Sequence, residues 1–183
     1  RVYSIGLSST QITGLYNESA SDNDTVEFPD GLEKGSVNST VSANANAGFS
    51  IIKYRGTGSV QKISHGLSAA PKFVILKKTS GTQNWNTGHD SVGWTKYFDG
   101  PNTTSAAATE TTVWNDTAPT ATVVTLGGSN NTNANGEDYI MYAFHDVSGY
   151  SKFGGYTGSG TGTNQLINTG FQPDFVLFKD YSA

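Results

Sequence analysis

One β-motif is written twice in this chain, at a fixed separation. Tyr54, Gly56, Gly58, Pro71, Phe73, Val74, Leu76 and Lys77 recur as Tyr156, Gly158, Gly160, Pro173, Phe175, Val176, Phe178 and Lys179, each 102 residues further on. Gly48-Phe49-Ser50 recurs as Gly149-Tyr150-Ser151 at an offset of 101, which places one extra residue in the second copy, expected as a bulge at Gly154-Gly155. His65-Gly66-Leu67 corresponds more loosely to Thr169-Gly170-Phe171. Each repeated feature has a physical task. Tyr-x-Gly-x-Gly ends a strand and admits positive φ in the turn. The proline suits the first position of the next strand, where a missing N–H costs nothing. The Phe-Val-x-Leu/Phe-Lys block fills a core and stops on a charge. An isolated strand–turn–strand unit is marginal in water, so two copies imply pseudo-symmetric halves of a sandwich or tandem domains.

The second copy is shorter. After Lys78 the first continues through Trp85 and Trp94 to Phe98, whereas Lys179 is followed by Asp180, Tyr181, Ser182 and Ala183. Truncation or processing of a longer polypeptide is the expectation; a smaller second unit and completion by a neighbouring subunit are the alternatives.

The remainder reads as strands and polar loops. Strands are expected at residues 2–7, 25–28, 40–44, 49–54, around Val60 and Ile63, at 73–76, around Trp85, and at 92–98, 111–114, 121–126 and 138–145. Residues 103–110, with three consecutive alanines, suggest a short helical turn, and residues 127–136 a loop. In 138–145, Tyr139, Met141, Ala143 and His145 alternate with Ile140, Tyr142 and Phe144, so both faces are apolar, as in a central strand covered on both sides. The expected fold is all-β, an antiparallel β-sandwich of jelly-roll or concanavalin-like type with a duplicated strand–turn–strand motif. Residues 1–35 read as an N-terminal extension or assembly segment, 36–148 as a β domain with the first motif, and 149–183 as the second motif.

Composition supports order. Charged residues make up 14% and aromatics 11%, the reverse of the balance that keeps chains disordered. A net charge of −4 leaves no overall footprint for nucleic acid. Lys53, Arg55, Lys62, Lys72, Lys77 and Lys78 nevertheless hold six of the eleven basic residues, read chiefly as charges that guard strand edges. No cysteine is present, so disulfides and thiolate metal sites play no part. No run of residues is long and apolar enough for membrane insertion.

Catalysis requires converging polar groups, and no such motif is visible. His65, His89 and His145 lack metal-ligand spacing. His65 is expected to stabilise its turn, and His145 to be a satisfied, partly buried histidine. His89-Asp90-Ser91 is too local to build a triad. Asp22-Asn23-Asp24 and Asn135-Gly136-Glu137-Asp138 offer oxygens for calcium but read mainly as turns. No catalytic residue, metal or cofactor is therefore expected. The candidate ligand-binding set is Trp85, His89, Trp94, Tyr97 and Trp114, since sugars stack on aromatic faces while neighbouring amides hold their hydroxyls; core packing is the competing role for the tryptophans.

Several segments in matching order carry a family resemblance: Thr40-Val41-Ser42-Ala43-Asn44 with Ala47-Gly48-Phe49-Ser50-Ile51, His65-Gly66-Leu67 with Pro71-x-Phe73-Val74-Ile75-Leu76-Lys77, Gly93-Trp94, residues 114–120, and residues 149–158 leading to Thr169-Gly170-Phe171-x-Pro173. Over residues 36–183 the chain resembles a domain of unknown function found in virion structural proteins of tailed bacteriophages, especially marine ones, often beside concanavalin-like lectin modules. The resemblance implies a β-rich virion or surface module and brings no functional residues with it. The expected function is a structural subunit or module of an extracellular appendage, a phage tail fibre or virion protein, whose partners are copies of itself or other fibre subunits. A carbohydrate-binding adhesin for surface glycans is the first alternative. A pilus-like filament in which residues 1–35 donate a strand is the second, and an enzyme the last.

Overall fold

The computed structural model describes residues 36–37, 39–100, 103–160, 162 and 164–182. The strands expected at 2–7 and 25–28, the Asp22-Asn23-Asp24 cluster and the strand-donating role of 1–35 lie outside the described residues. Nine strands are present among those described: β1 (Ser39–Asn44), β2 (Phe49–Arg55), β3 (Gln61–Ser64), β4 (Phe73–Lys78), β5 (Asn86–His89), β6 (Lys96–Asp99), β7 (Ala108–Thr109), β8 (Val123–Leu126) and β9 (Asp138–Phe144). Seven form one sheet in the order β1-β2-β9-β4-β5-β6-β7, and β3 pairs with β8 in a second. Every pairing is antiparallel. The fold is all-β.

Alternation along the strands decides which side chains go in. On β2, β4 and β9 the residues Ile52, Tyr54, Val74, Leu76, Tyr139, Met141 and Ala143 are buried on one face. Ile63, Val124 and Leu126 of the smaller sheet belong to the same apolar cluster, so the two sheets close on a shared core. β9 is an interior strand of the large sheet, between β2 and β4. Ile52 faces Met141 across one of its edges and Leu76 faces the same Met141 across the other. The opposite face of β9 is only half-buried, at Ile140, Tyr142 and Phe144, whereas the apolar alternation predicts cover on both faces.

Three local expectations change. Thr111-Thr112-Val113-Trp114 has strand chemistry but forms a one-turn helix, α1 (Thr111–Trp114). Glu110 caps it by accepting from the Thr112 N–H at 3.3 Å, and Asn115 ends it with φ 53°. The turn carries Val113 and Trp114 fully into the core, and that burial outweighs the β-propensity of the residues. Residues 103–110 form no helical turn; they run irregularly into the two-residue β7. The loop 127–136 contains a second short helix, α2 (Asn130–Asn133), capped by Ser129.

The largest change concerns the repeat. Beyond an isolated bridge between Val147 and Ser151, the described residues of the second copy contain no strand, and so no bulge at Gly154-Gly155.

Candidate assembly surface

The first copy shows what the motif does when complete. Tyr54 stacks on Tyr139 at 5.3 Å and donates its hydroxyl to the Thr132 carbonyl at 2.6 Å. Burial, with Tyr139 beside it, pushes its hydroxyl pKa well up, so it remains a donor. Gly56 exchanges backbone hydrogen bonds with Glu137 and Gly136, both at 2.8 Å, and a Cβ there would stand 2.2 Å from the Ala134 carbonyl oxygen. Gly58 donates to the Asn133 carbonyl at 2.8 Å. Pro71 is buried, and β4 follows it into the gap between β5 and β9.

The same residues in the second copy face solvent. Tyr156 is 49% exposed against 4% for Tyr54, Val176 52% against 0% for Val74, and Phe178 65% against 0% for Leu76. Phe175 is 80% exposed, and Pro173 is exposed where Pro71 is buried. Gly158 and Gly160 have only open space where a Cβ would stand. Tyr156, Phe175, Val176, Leu177 and Phe178 are thus all exposed on one segment, a candidate interaction surface.

Asp146 joins the two copies. Its carboxylate accepts from Lys72 Nζ at 2.9 Å and from the Phe153 N–H at 2.7 Å, with Lys152 Nζ at 3.8 Å. Partial burial raises the Asp146 pKa, but these donors outweigh it and hold the group below the usual carboxylate range. Phe153 then lies on the outer face of the large sheet, 5.8 Å from Phe73 and 5.7 Å from Phe144 between ring centres. Further along, Lys179 Nζ donates to the Ser105 carbonyl at 2.8 Å and sits 5.9 Å from the Phe98 ring, while the Tyr181 carbonyl accepts from Ala107 N–H at 2.9 Å. The segment is anchored at both ends, and its apolar side chains between the anchors are exposed.

The five residues singled out as ligand contacts are dispersed. Trp94 and Trp114 pack edge to face at 5.3 Å inside the core, with Gly88 leaving room for both rings, so neither presents a face to solvent. Tyr97 is half-buried on β6, and burial followed by Asp99 and Glu110 raises its pKa. His89 accepts from the Ser91 N–H at 3.0 Å and lies 5.8 Å from Phe73; burial lowers its pKa against the opposing pull of Asp90. Trp85 alone of the tryptophans is exposed. It continues an aromatic strip through Tyr142 at 6.3 Å and Phe49 at 6.4 Å, with Lys77 Nζ 5.8 Å from its ring centre. The signal for this strip was the outward set Phe49, Tyr142 and Phe144, which sequence alternation assigns to one face but cannot rank above the inward set.

Other candidates resolve into structural contacts. His65 is buried; its Nδ1 accepts from the Leu67 N–H at 3.1 Å while Nε2 lies 3.2 Å from the Thr120 carbonyl, and burial lowers its pKa to about 4. His145 Nδ1 lies 2.7 Å from the Asp146 carbonyl and Nε2 3.3 Å from Ser68 Oγ. Of the clustered cations, Lys72 pairs with Asp146, Lys78 with Glu137 at 3.3 Å and Arg55 with Asp138 at 3.4 Å. The last two pairs also occupy the carboxylates of the 135–138 segment weighed above for calcium. Among the described residues no group of three or more His, Asp or Glu side chains is placed to hold a metal ion, and no helix is long and apolar enough to cross a membrane.

The sequence model of a family described as "Domain of unknown function (DUF7483)" matches residues 30–183. The chain belongs to the DUF7483 family. The match runs without division through both copies of the motif, so the exposed segment of this DUF7483 chain is part of the family's domain. Nothing among curated proteins or solved structures matches the chain.

Proposed function

We propose that this DUF7483 chain is a structural module of an extracellular appendage, a phage tail fibre or related virion protein, that functions by assembling with other polypeptide. The observation that carries this reading is the second motif, whose apolar residues are exposed although their counterparts in the first are core. A chain that worked alone would gain by covering them. The reading extends to the fold: the described unit is one covered half of a duplicated β-sandwich arrangement. The partners are other fibre or virion subunits, and the location is outside the cell. The test is to locate the protein by labelling in assembled particles or fibres. Labelled appendages support the reading, and a protein found only free overturns it.

A second reading, recognition of surface glycans, is favoured by the Trp85–Tyr142–Phe49 strip with Lys77 at its edge. Aromatic faces of this kind stack on sugar rings. Because Trp94 and Trp114 are core residues, Trp85→Ala is the informative variant. Glycan-array binding lost in Trp85→Ala supports recognition, and silence of the parent chain across a broad array counts against it.

A further inference from the structure

In the first copy β4 has a strand on each side, and both strands lie later in the chain: β5, pairing Phe73 with His89, and β9, pairing Phe73 with Phe144. The constant offset carries the whole side-chain pattern to the second copy. Val176 and Phe178 occupy the inward positions of Val74 and Leu76, and Phe175 and Leu177 the half-buried positions of Phe73 and Ile75. Yet no strand flanks them among the described residues, and both inward side chains are more than half exposed. A folded second copy of this chain has no strand of the needed kind to offer. Its β9 is already bonded to β2 and β4, and its β5 to β4 and β6.

One position specifies the partner further. Lys72, just before β4, forms its ion pair with Asp146, just after β9. The counterpart of Lys72 is Asp174, of opposite sign. A partner that placed a carboxylate there, as this chain does, would set two like charges together in a part-buried site.

We infer that residues 156–179 are the first half of a second β-unit whose missing strands are supplied by a polypeptide of the β5-to-β9 type, carrying Lys or Arg where the first unit carries Asp146. Phe175–Lys179 becomes the strand between the two supplied strands, with Val176 and Phe178 in its core and Asp174 in a salt bridge. This names the partner of the surface on which the assembly reading rests. It can fail while that reading stands, because it concerns strand identity and not where the protein resides.

The register provides the experiment. Gly81 and Ala183 are equivalent positions, so a second copy of residues 82–148 joined directly after Ala183 of the full chain continues the motif without a gap. Two forms are made, one with the appended stretch unaltered and one with its Asp146→Lys change. Amide hydrogen exchange is read at Phe175–Lys179, with Phe73–Lys78 of the same molecule as the internal standard for folded strand. In the Lys form, exchange at Phe175–Lys179 is expected to slow by about 100-fold or more relative to the unextended chain. The unaltered form should be less protected, and Val176→Asp should abolish the protection while Phe73–Lys78 stays protected. If Phe73–Lys78 is protected and Phe175–Lys179 exchanges as in the unextended chain, the proposal is overturned. Protection of Phe175–Lys179 in the unextended chain on self-association, read by sedimentation, also overturns it, because a second copy would then be the partner. The unextended chain needs no new fold to be tested, so this arm holds even if the extended forms do not fold.

Discussion

Phe73–Lys78 and Phe175–Lys179 are nearly the same peptide in two physical states. The first sits between β5 and β9, and its inward Val74 and Leu76 are wholly removed from water. Burial of such side chains is worth about 1.5–3 kcal/mol each. The second has the same alternation and the same terminal lysine, but Val176 and Phe178 remain more than half exposed and contribute correspondingly less. Strand propensity describes fitness for a pleated, half-buried surface, and it has no value until neighbouring strands create that surface. The pair also separates two kinds of glycine. Gly56 is needed because a carbonyl from the 130–136 segment lies against its α-carbon, whereas Gly158 has the same place in the motif and no neighbour.

The contrast is open to direct tests by paired substitution. Val74→Asp buries a carboxylate in a sealed core and should cost about 4 kcal/mol or more, leaving the first unit unfolded, while Val176→Asp should leave the melting temperature unchanged. Equal effects in thermal melts would mean that the second motif is covered in solution. Gly56→Ala should cost about 3 kcal/mol through its clash with the Ala134 carbonyl, and Gly158→Ala should be neutral, both read by urea unfolding.

The histidine response to acid should belong to the first unit, because His65 has no histidine counterpart at Thr169 or Ile167. His65 binds a proton near pH 6.5 when unfolded and only near pH 4 when folded. Its stabilisation is therefore complete above pH 6.5 and is lost as pH falls toward 4, at up to about 1.4 kcal/mol per pH unit. Urea unfolding across that window should show the slope, and His65→Gln should flatten most of it, with His89 keeping a smaller part. The smallest contrast is between hydroxyls. Tyr54→Phe leaves the Thr132 carbonyl without its donor and should cost about 1 kcal/mol, whereas Tyr156→Phe should cost nothing measurable.

Much of the fold was legible because a strand's period is a local property. The alternation in Asp138–Phe144 assigned Tyr139, Met141 and Ala143 to one face, and these are the residues that β2 and β4 bury. The turn role of His65 was legible for the same reason: its ring bonds to the backbone of Leu67, two residues on. The candidate site was less so. Polar neighbours flank each of Trp85, Trp94 and Trp114, with Asn or Thr beside every one, yet only Trp85 is exposed. What separates them is that the turn between β5 and β6 and the helix α1 bring two indoles together over Gly88, a contact between segments about 20 residues apart.

By itself the sequence determined that this chain is all-β, where one interior strand lies, and that one strand–turn–strand pattern occurs twice. Those properties follow from side-chain period and turn chemistry, which act over a few residues. Only the tertiary structure decided that Thr111–Trp114 is a helical turn, that two tryptophans are core, and that the two copies of the motif differ in state. A strand exists only when partners arriving from distant sequence satisfy its backbone and cover its face, and in this chain they reach Phe73–Lys78 and not Phe175–Lys179.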